Sequence, residues 1–169
     1  MIWKRTLLLT VLLLTGVLIE TSVLGEATLF GAKPPILLLF TVALALGEGP
    51  ALAAGFGFAG GLLTDLMTGL PAGLTAIAYT VVGYSVGAIR AQLQTPSAWL
   101  PVTMEFTATL GGLFLYGGVA LLLGQEAVGG RTLVVTAVFG ACYNALLTPF
   151  LYPLVRALAA RLRPAMVLR

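Results

Sequence analysis

The sequence predicts an all-α integral membrane protein of six transmembrane helices, with both termini cytoplasmic. Three observations predict it. Of 169 residues, 59% are hydrophobic and only 9% charged, with a mean hydropathy of +1.06. A soluble domain carries about 25% charged residues, so this chain cannot coat itself in water. The apolar residues also fall into six runs divided by short, turn-rich segments. A helical crossing takes about 20 apolar residues, fewer where tight turns sit at the interface. The third observation is charge. With six spans, Lys4, Arg5, Arg90, Arg156, Arg161, Arg163 and Arg169 fall on the side of the termini, and only Lys33 and Arg131 on the other. Short loops rich in Lys and Arg stay in the cytoplasm. One transmembrane domain over residues 1–169 is expected, without internal repeats or a low-complexity tail.

The first span, about 6–24, follows Lys4 and Arg5. A basic start before an apolar run also suits a secretory signal, and Leu24-Gly25-Glu26-Ala27 is a conceivable cleavage region. The run is long enough to span and every later segment is membranous, so a retained helix is expected. Glu20 lies one turn from its outer end, where a carboxylate reaches water. Residues 25–35 form a short outer loop with Glu26 and Lys33. Pro34-Pro35 opens the second span, about 35–46, because proline suits a helix's first turn. That span is short for a full crossing. Gly47-Glu48-Gly49-Pro50 is a turn.

The third span, about 50–67, carries the most distinctive pattern. Gly57, Gly61 and Asp65 lie four apart on one helical face, continued backward by Ala53. Gly55 and Ala59 form a second small-residue row beside it. Small residues every fourth position allow the close backbone approach on which helix association in lipid depends. Thr64, Thr68, Gly69, Pro71 and Gly73 then break the helix with turn chemistry. Two uses of the ridge stand side by side: packing within the chain, with a solvated Asp65 at its end, or docking of another helix.

The fourth span, about 73–89, contains Gly83 and Gly87 as a further close-approach pair and ends at Arg90. Residues 92–97 form a polar loop. The fifth span, about 99–123, starts at Trp99, whose ring suits the interface. Glu105 falls in its first two turns, near water and the helix dipole, where pairing with Arg90 is one option. A polar outer loop of residues 124–131 precedes the sixth span, about 132–154. That span holds Tyr143 and Asn144, and an asparagine in hydrocarbon usually bonds across helices for about 0.5–2 kcal/mol. Pro149 and Pro153 are expected to kink or end it. Arg156, Arg161, Arg163 and Arg169 follow as a basic tail, a topology determinant or a contact for anionic membrane lipid.

Catalysis finds little to work with. Histidine is absent, which removes the commonest general base and the commonest transition-metal ligand. Asp65 is the only aspartate, so no paired-aspartate site exists, and Glu20, Glu48, Glu105 and Glu126 are separated by predicted side or by several helices. No phosphate loop, dinucleotide fingerprint or metal-ligand cluster appears. Neither enzyme activity nor a cofactor nor a metal is expected. The basic excess of nine to six reports orientation, not a nucleic-acid partner. Cys142 is the single cysteine, so no internal disulfide forms.

The central stretch resembles the MreD family of rod-shape-determining membrane proteins. The features that carry the resemblance are the glycine-rich helix from Gly55 to Gly61, then Gly60-Gly61-Leu62-Leu63-Thr64-Asp65-Leu66, then Gly69-Leu70-Pro71-Ala72-Gly73-Leu74. They continue as Ala76-Ile77-Ala78-Tyr79 and Val82-Gly83-Tyr84-Ser85-Val86-Gly87. Ala72 stands where the family commonly places leucine. The resemblance implies a non-enzymatic scaffold of the bacterial cell-elongation machinery in the inner membrane. Such a scaffold binds an MreC-type single-span protein, near a RodA-type glycosyltransferase and its transpeptidase, and regulates peptidoglycan synthesis. The candidate partner-binding residues are Gly57, Gly61, Asp65, Pro71 and Gly73. Gly55, Gly83, Gly87 and Asn144 are assigned to helix packing, and self-association into a homo-oligomer is open. Gly61→Leu is expected to weaken partner association while leaving insertion intact.

The family is also distantly similar to the S components of energy-coupling-factor vitamin transporters. That similarity implies an S-component-like six-helix bundle and supplies the rival function, capture of a small vitamin. The A-x-x-x-A docking pair common in the first helix of S components is missing from residues 6–24, which favours the scaffold.

Overall fold

A computed structural model describes residues 2–23, 34–69, 71–93, 99–125 and 130–160. Within them the chain is helical throughout: α1 (Ile2–Leu18), extended by a π-helical turn (Ile19–Val23), α2 (Ile36–Glu48), α3 (Pro50–Thr68), α4 (Leu74–Gln92), α5 (Leu100–Leu122) and α6 (Gly130–Ala160). Five of these helices are long and apolar enough to cross a membrane, and α2 is the short one. The six expected spans coincide with the six helices to within a few residues, except that α6 runs on. Most of the 25–35 loop, residues 94–98, Glu126, Gly129 and the tail from Arg161 lie outside the described residues.

The short helix is the centre of the bundle. Residues Ile36 to Ala45 are all buried, and α2 touches α1, α3, α4, α5 and α6. At 13 residues it is about 20 Å long, against a hydrocarbon core of about 30 Å. A helix end stranded at that depth would leave donors unpaired, each costing several kcal/mol in lipid. The local sequence limits the problem. Pro34 and Pro35 carry no N–H, the Ile36 N–H donates to Pro34 O (3.0 Å), and the Leu37 N–H donates to Glu20 Oε2 (3.0 Å). Glu20 is therefore half-buried and turned toward protein, and its Oε1 accepts a bond from the Tyr79 hydroxyl (3.1 Å).

At the other end of α2, Gly49 takes φ +98°, a conformation that favours glycine, and Pro50 begins α3 at once. Glu48 there accepts a bond from Arg5 at 2.7 Å, joining the start of α1 to the end of α2. α1 is otherwise peripheral, with Trp3, Leu7, Val11, Leu14 and Leu18 exposed. Pro149 and Pro153 do not end α6, which continues to Ala160. Membrane helices tolerate proline where neighbouring groups serve the backbone carbonyls it frees, which here are those of Ala145 and Pro149.

Candidate functional site

The α3–α4 hairpin holds most of the residues the sequence singled out, and its contact is the most extensive in the fold. The reason is glycine. A Cβ placed on Gly57 would lie 2.7 Å from Tyr79 O, and one on Gly61 2.6 Å from the Ala76 Cα. From the opposite helix, a Cβ on Gly83 would lie 2.8 Å from Ala53 O and one on Gly87 2.5 Å from the Pro50 Cα. No real Cβ sits that close to backbone, so the antiparallel helices touch main chain to main chain. The structure thus fills the Gly57–Gly61 ridge with α4, and a docked helix has no room on it. The expectation that Gly61→Leu weakens partner association while leaving insertion intact faces the same obstacle: the new side chain would meet the Ala76 backbone within the chain itself.

Gly55 is corrected in the opposite direction. It was assigned to helix packing, but it is exposed, and a Cβ there would meet nothing within 4 Å. Ala59, one turn on, is exposed as well. The two small-residue rows of α3 therefore differ in use: one is closed by α4 and the other lies open on the outside, flanked by Phe58, Leu63 and Leu66.

Asp65 ends the closed ridge and is fully buried. Its Oδ2 accepts bonds from the Gly73 N–H (2.9 Å) and the Thr75 N–H (3.0 Å), with the Ala76 N–H at 3.5 Å, and its Oδ1 lies 3.2 Å from the Thr75 nitrogen. These are the free N–H groups of the first turn of α4. Asp65 caps them from the previous helix, the task an N-cap side chain usually performs from its own. A carboxylate also complements the positive end of the helix dipole. The geometry needs a tight reversal, which Gly69 (φ +68°) and Gly73 (φ +100°) provide, with Pro71 between them. Asp65 is thus neither solvated nor presented outward, while Pro71 and Gly73 are half-exposed at the outer turn.

A second polar centre joins three helices. Glu105 Oε1 accepts bonds from the Thr109 hydroxyl (3.1 Å) and from Asn144 Nδ2 (3.3 Å). Asn144 Nδ2 also reaches Thr109 Oγ1 (3.1 Å) and Pro35 O (3.1 Å), tying α5 and α6 to the buried start of α2. Glu105, Thr109 and Asn144 are all buried. Pairing of Glu105 with Arg90 does not occur: the Arg90 Nη1 donates instead to Leu93 O (3.0 Å). Glu105 and Thr109, four apart in sequence, were within reach of sequence reasoning. Their meeting with Asn144 and Pro35 had no local signal.

Among the described residues, no group of three His, Cys, Asp or Glu side chains is placed to hold a metal. In comparison with known proteins, the family of the rod shape-determining protein MreD matches residues 2–162. The chain belongs to the MreD family. It is accordingly a rod-shape-determining protein of the bacterial inner membrane, in a family of structural membrane proteins. No curated protein and no solved structure matches the chain.

Proposed function

We propose that the protein is a non-enzymatic scaffold of the cell-elongation machinery that holds the membrane helix of an MreC-type partner. Through that contact it regulates peptidoglycan synthesis beside a RodA-type glycosyltransferase and its transpeptidase. The observation that carries this reading is the family match over residues 2–162. The geometry supports one choice of face. Gly57 and Gly61 serve α4 and Asp65 serves the first turn of α4, so they support the contact only by holding the hairpin rigid. The partner helix packs on the open row of Gly55 and Ala59, with its outer end near Pro71 and Gly73. Close backbone approach at two small residues one turn apart is what helix pairing in lipid requires.

The test is affinity purification from native membranes in mild detergent, comparing wild type with Gly55→Leu. Wild type recovers an MreC-type single-span protein near one-to-one, whereas Gly55→Leu inserts normally and loses most of it. Undiminished recovery by Gly55→Leu sinks the proposed face. Recovery of an ATPase pair with its membrane subunit, in place of the MreC-type protein, sinks the scaffold.

A further inference from the structure

Away from the hairpin seam, α4 and α5 enclose a groove of about 360 Å³. Its floor includes Val86 and Ala108, both buried, and its lips are Val81, Ser85, Ile89, Thr107 and Gly111, all exposed. The lining is apolar apart from two hydroxyls. The groove runs from Val81 to Ile89 on α4, about 12 Å along the axis, and from Met104 to Leu115 on α5, about 17 Å. Arg90 stands one helical turn beyond Val86, in the last turn of α4, with its guanidinium held there by the bond to Leu93 O. Trp99, 73% exposed, stands just before the start of α5. This is the end of the bundle where Gly87 packs on Pro50 and Arg5 meets Glu48.

The dimensions choose among occupants. A partner helix crossing the bilayer would need a trough along the full hydrocarbon depth of about 30 Å, whereas one leaflet is about 15 Å deep. A groove of about 12–17 Å whose α4 wall ends at Ile89, next to Arg90, has the length of one leaflet and fits a single acyl chain with its headgroup at the guanidinium. Arginine presents a planar fork of donors that matches phosphate oxygens. The position of a tryptophan at the same end agrees with the headgroup level. We propose that this groove is a phospholipid site in the leaflet on the Arg90 side, the cytoplasmic one by the distribution of basic residues. It holds one acyl chain between α4 and α5 and the lipid phosphate at Arg90. The inference is independent of which protein partner the open row of α3 binds.

Native mass spectrometry of the full-length, delipidated protein tests it, using phosphatidylglycerol and phosphatidylcholine with identical acyl chains as probes. One retained lipid is expected, with phosphatidylglycerol favoured about fivefold, since one arginine at the surface is worth about 1 kcal/mol toward an anionic lipid. Arg90→Gln keeps the adduct and loses the preference. Gly111→Phe fills the groove and loses the adduct. A Cβ at Gly111 meets nothing within 4 Å, so the fold tolerates it, and an unchanged thermal midpoint verifies that. Ser85→Phe is the second filling variant, and Ile77→Phe, exposed on α4 outside the groove, leaves the adduct in place. Unaltered binding by both filling variants, or equal retention of the two lipids by wild type, overturns the proposal. So does a photo-crosslinker at Ser85 that captures a protein, and no phospholipid, in native membranes.

Discussion

Two helix contacts in this bundle are built in opposite ways. α3 and α4 meet main chain to main chain, with four glycines removing every atom that would separate them and Asp65 capping the end of the seam. α1 meets the bundle along one apolar stripe, Leu9, Leu12, Leu13, Gly16 and Val17, fastened near its two ends by polar contacts, Arg5 with Glu48 and Glu20 with Leu37 and Tyr79, while its other face is exposed. In lipid neither contact is driven by hydrophobic burial, so each depends on packing or hydrogen bonds. The difference teaches where strength lies. A glycine seam is distributed and unforgiving, and a polar contact is local and can be released one group at a time.

Substitutions can break or sharpen that contrast. The largest effect is expected for Gly61→Leu, whose side chain must displace the Ala76 backbone. Overpacking a core commonly costs about 1–3 kcal/mol, and backbone on the receiving side puts this case at the upper end or beyond. Fluorescence-detected size exclusion should show aggregated or absent protein. Asp65→Ala comes next. It strands the Gly73 and Thr75 N–H groups, and lost caps and buried unpaired donors suggest about 2 kcal/mol. Asp65→Asn, which keeps one acceptor oxygen, should recover part of the loss in thermal midpoint.

Glu20→Ala probes the other contact. It removes the acceptor for Leu37 N–H and the Tyr79 hydroxyl, at about 1–2 kcal/mol. Its signature should be local: hydrogen exchange rises at the start of α2 and the end of α1, and stays unchanged across α3 and α4. A global rise in exchange would show that the peripheral helix is as integral as the hairpin. The smallest effect belongs to Arg5→Gln. The Arg5 side chain is 38% exposed and that of Glu48 only 7%, so the pair is screened on one side alone and stands at the upper end of the surface-pair range of about 0–1 kcal/mol. A double-mutant cycle with Glu48→Gln should yield a coupling near the top of that range.

The six helices were legible because each break carries its own chemistry. Pro34-Pro35, the Gly47 to Pro50 turn, and the Gly69 to Gly73 reversal are written in residues that cannot continue a helix. The shortness of α2 was also legible, and a short helix is tolerated at that depth because the surrounding helices bury it in protein. The division of labour within α3 was not. Gly55–Ala59 and Gly57–Gly61 have the same four-residue spacing, and spacing alone does not say which row meets a neighbour. Asp65 stands out as the single aspartate at the end of the ridge, yet its N–H partners lie eight and ten residues on, across a reversal whose hand only the fold determines. The meeting of Glu105 with Asn144 spans 39 residues and joins two helices, and nothing local announces it.

The division of α3 into a closed ridge and an open row is tested most directly by one paired measurement. Gly61→Leu and Gly55→Leu carry the same change on the same helix. Each is heated in the same detergent, and the fraction remaining monodisperse is read against temperature. Gly61→Leu should lose its folded peak well below the wild-type midpoint or never form one, while Gly55→Leu should match wild type. Equal stability of the two variants, in either direction, would contradict the assignment of the seam to Gly57 and Gly61.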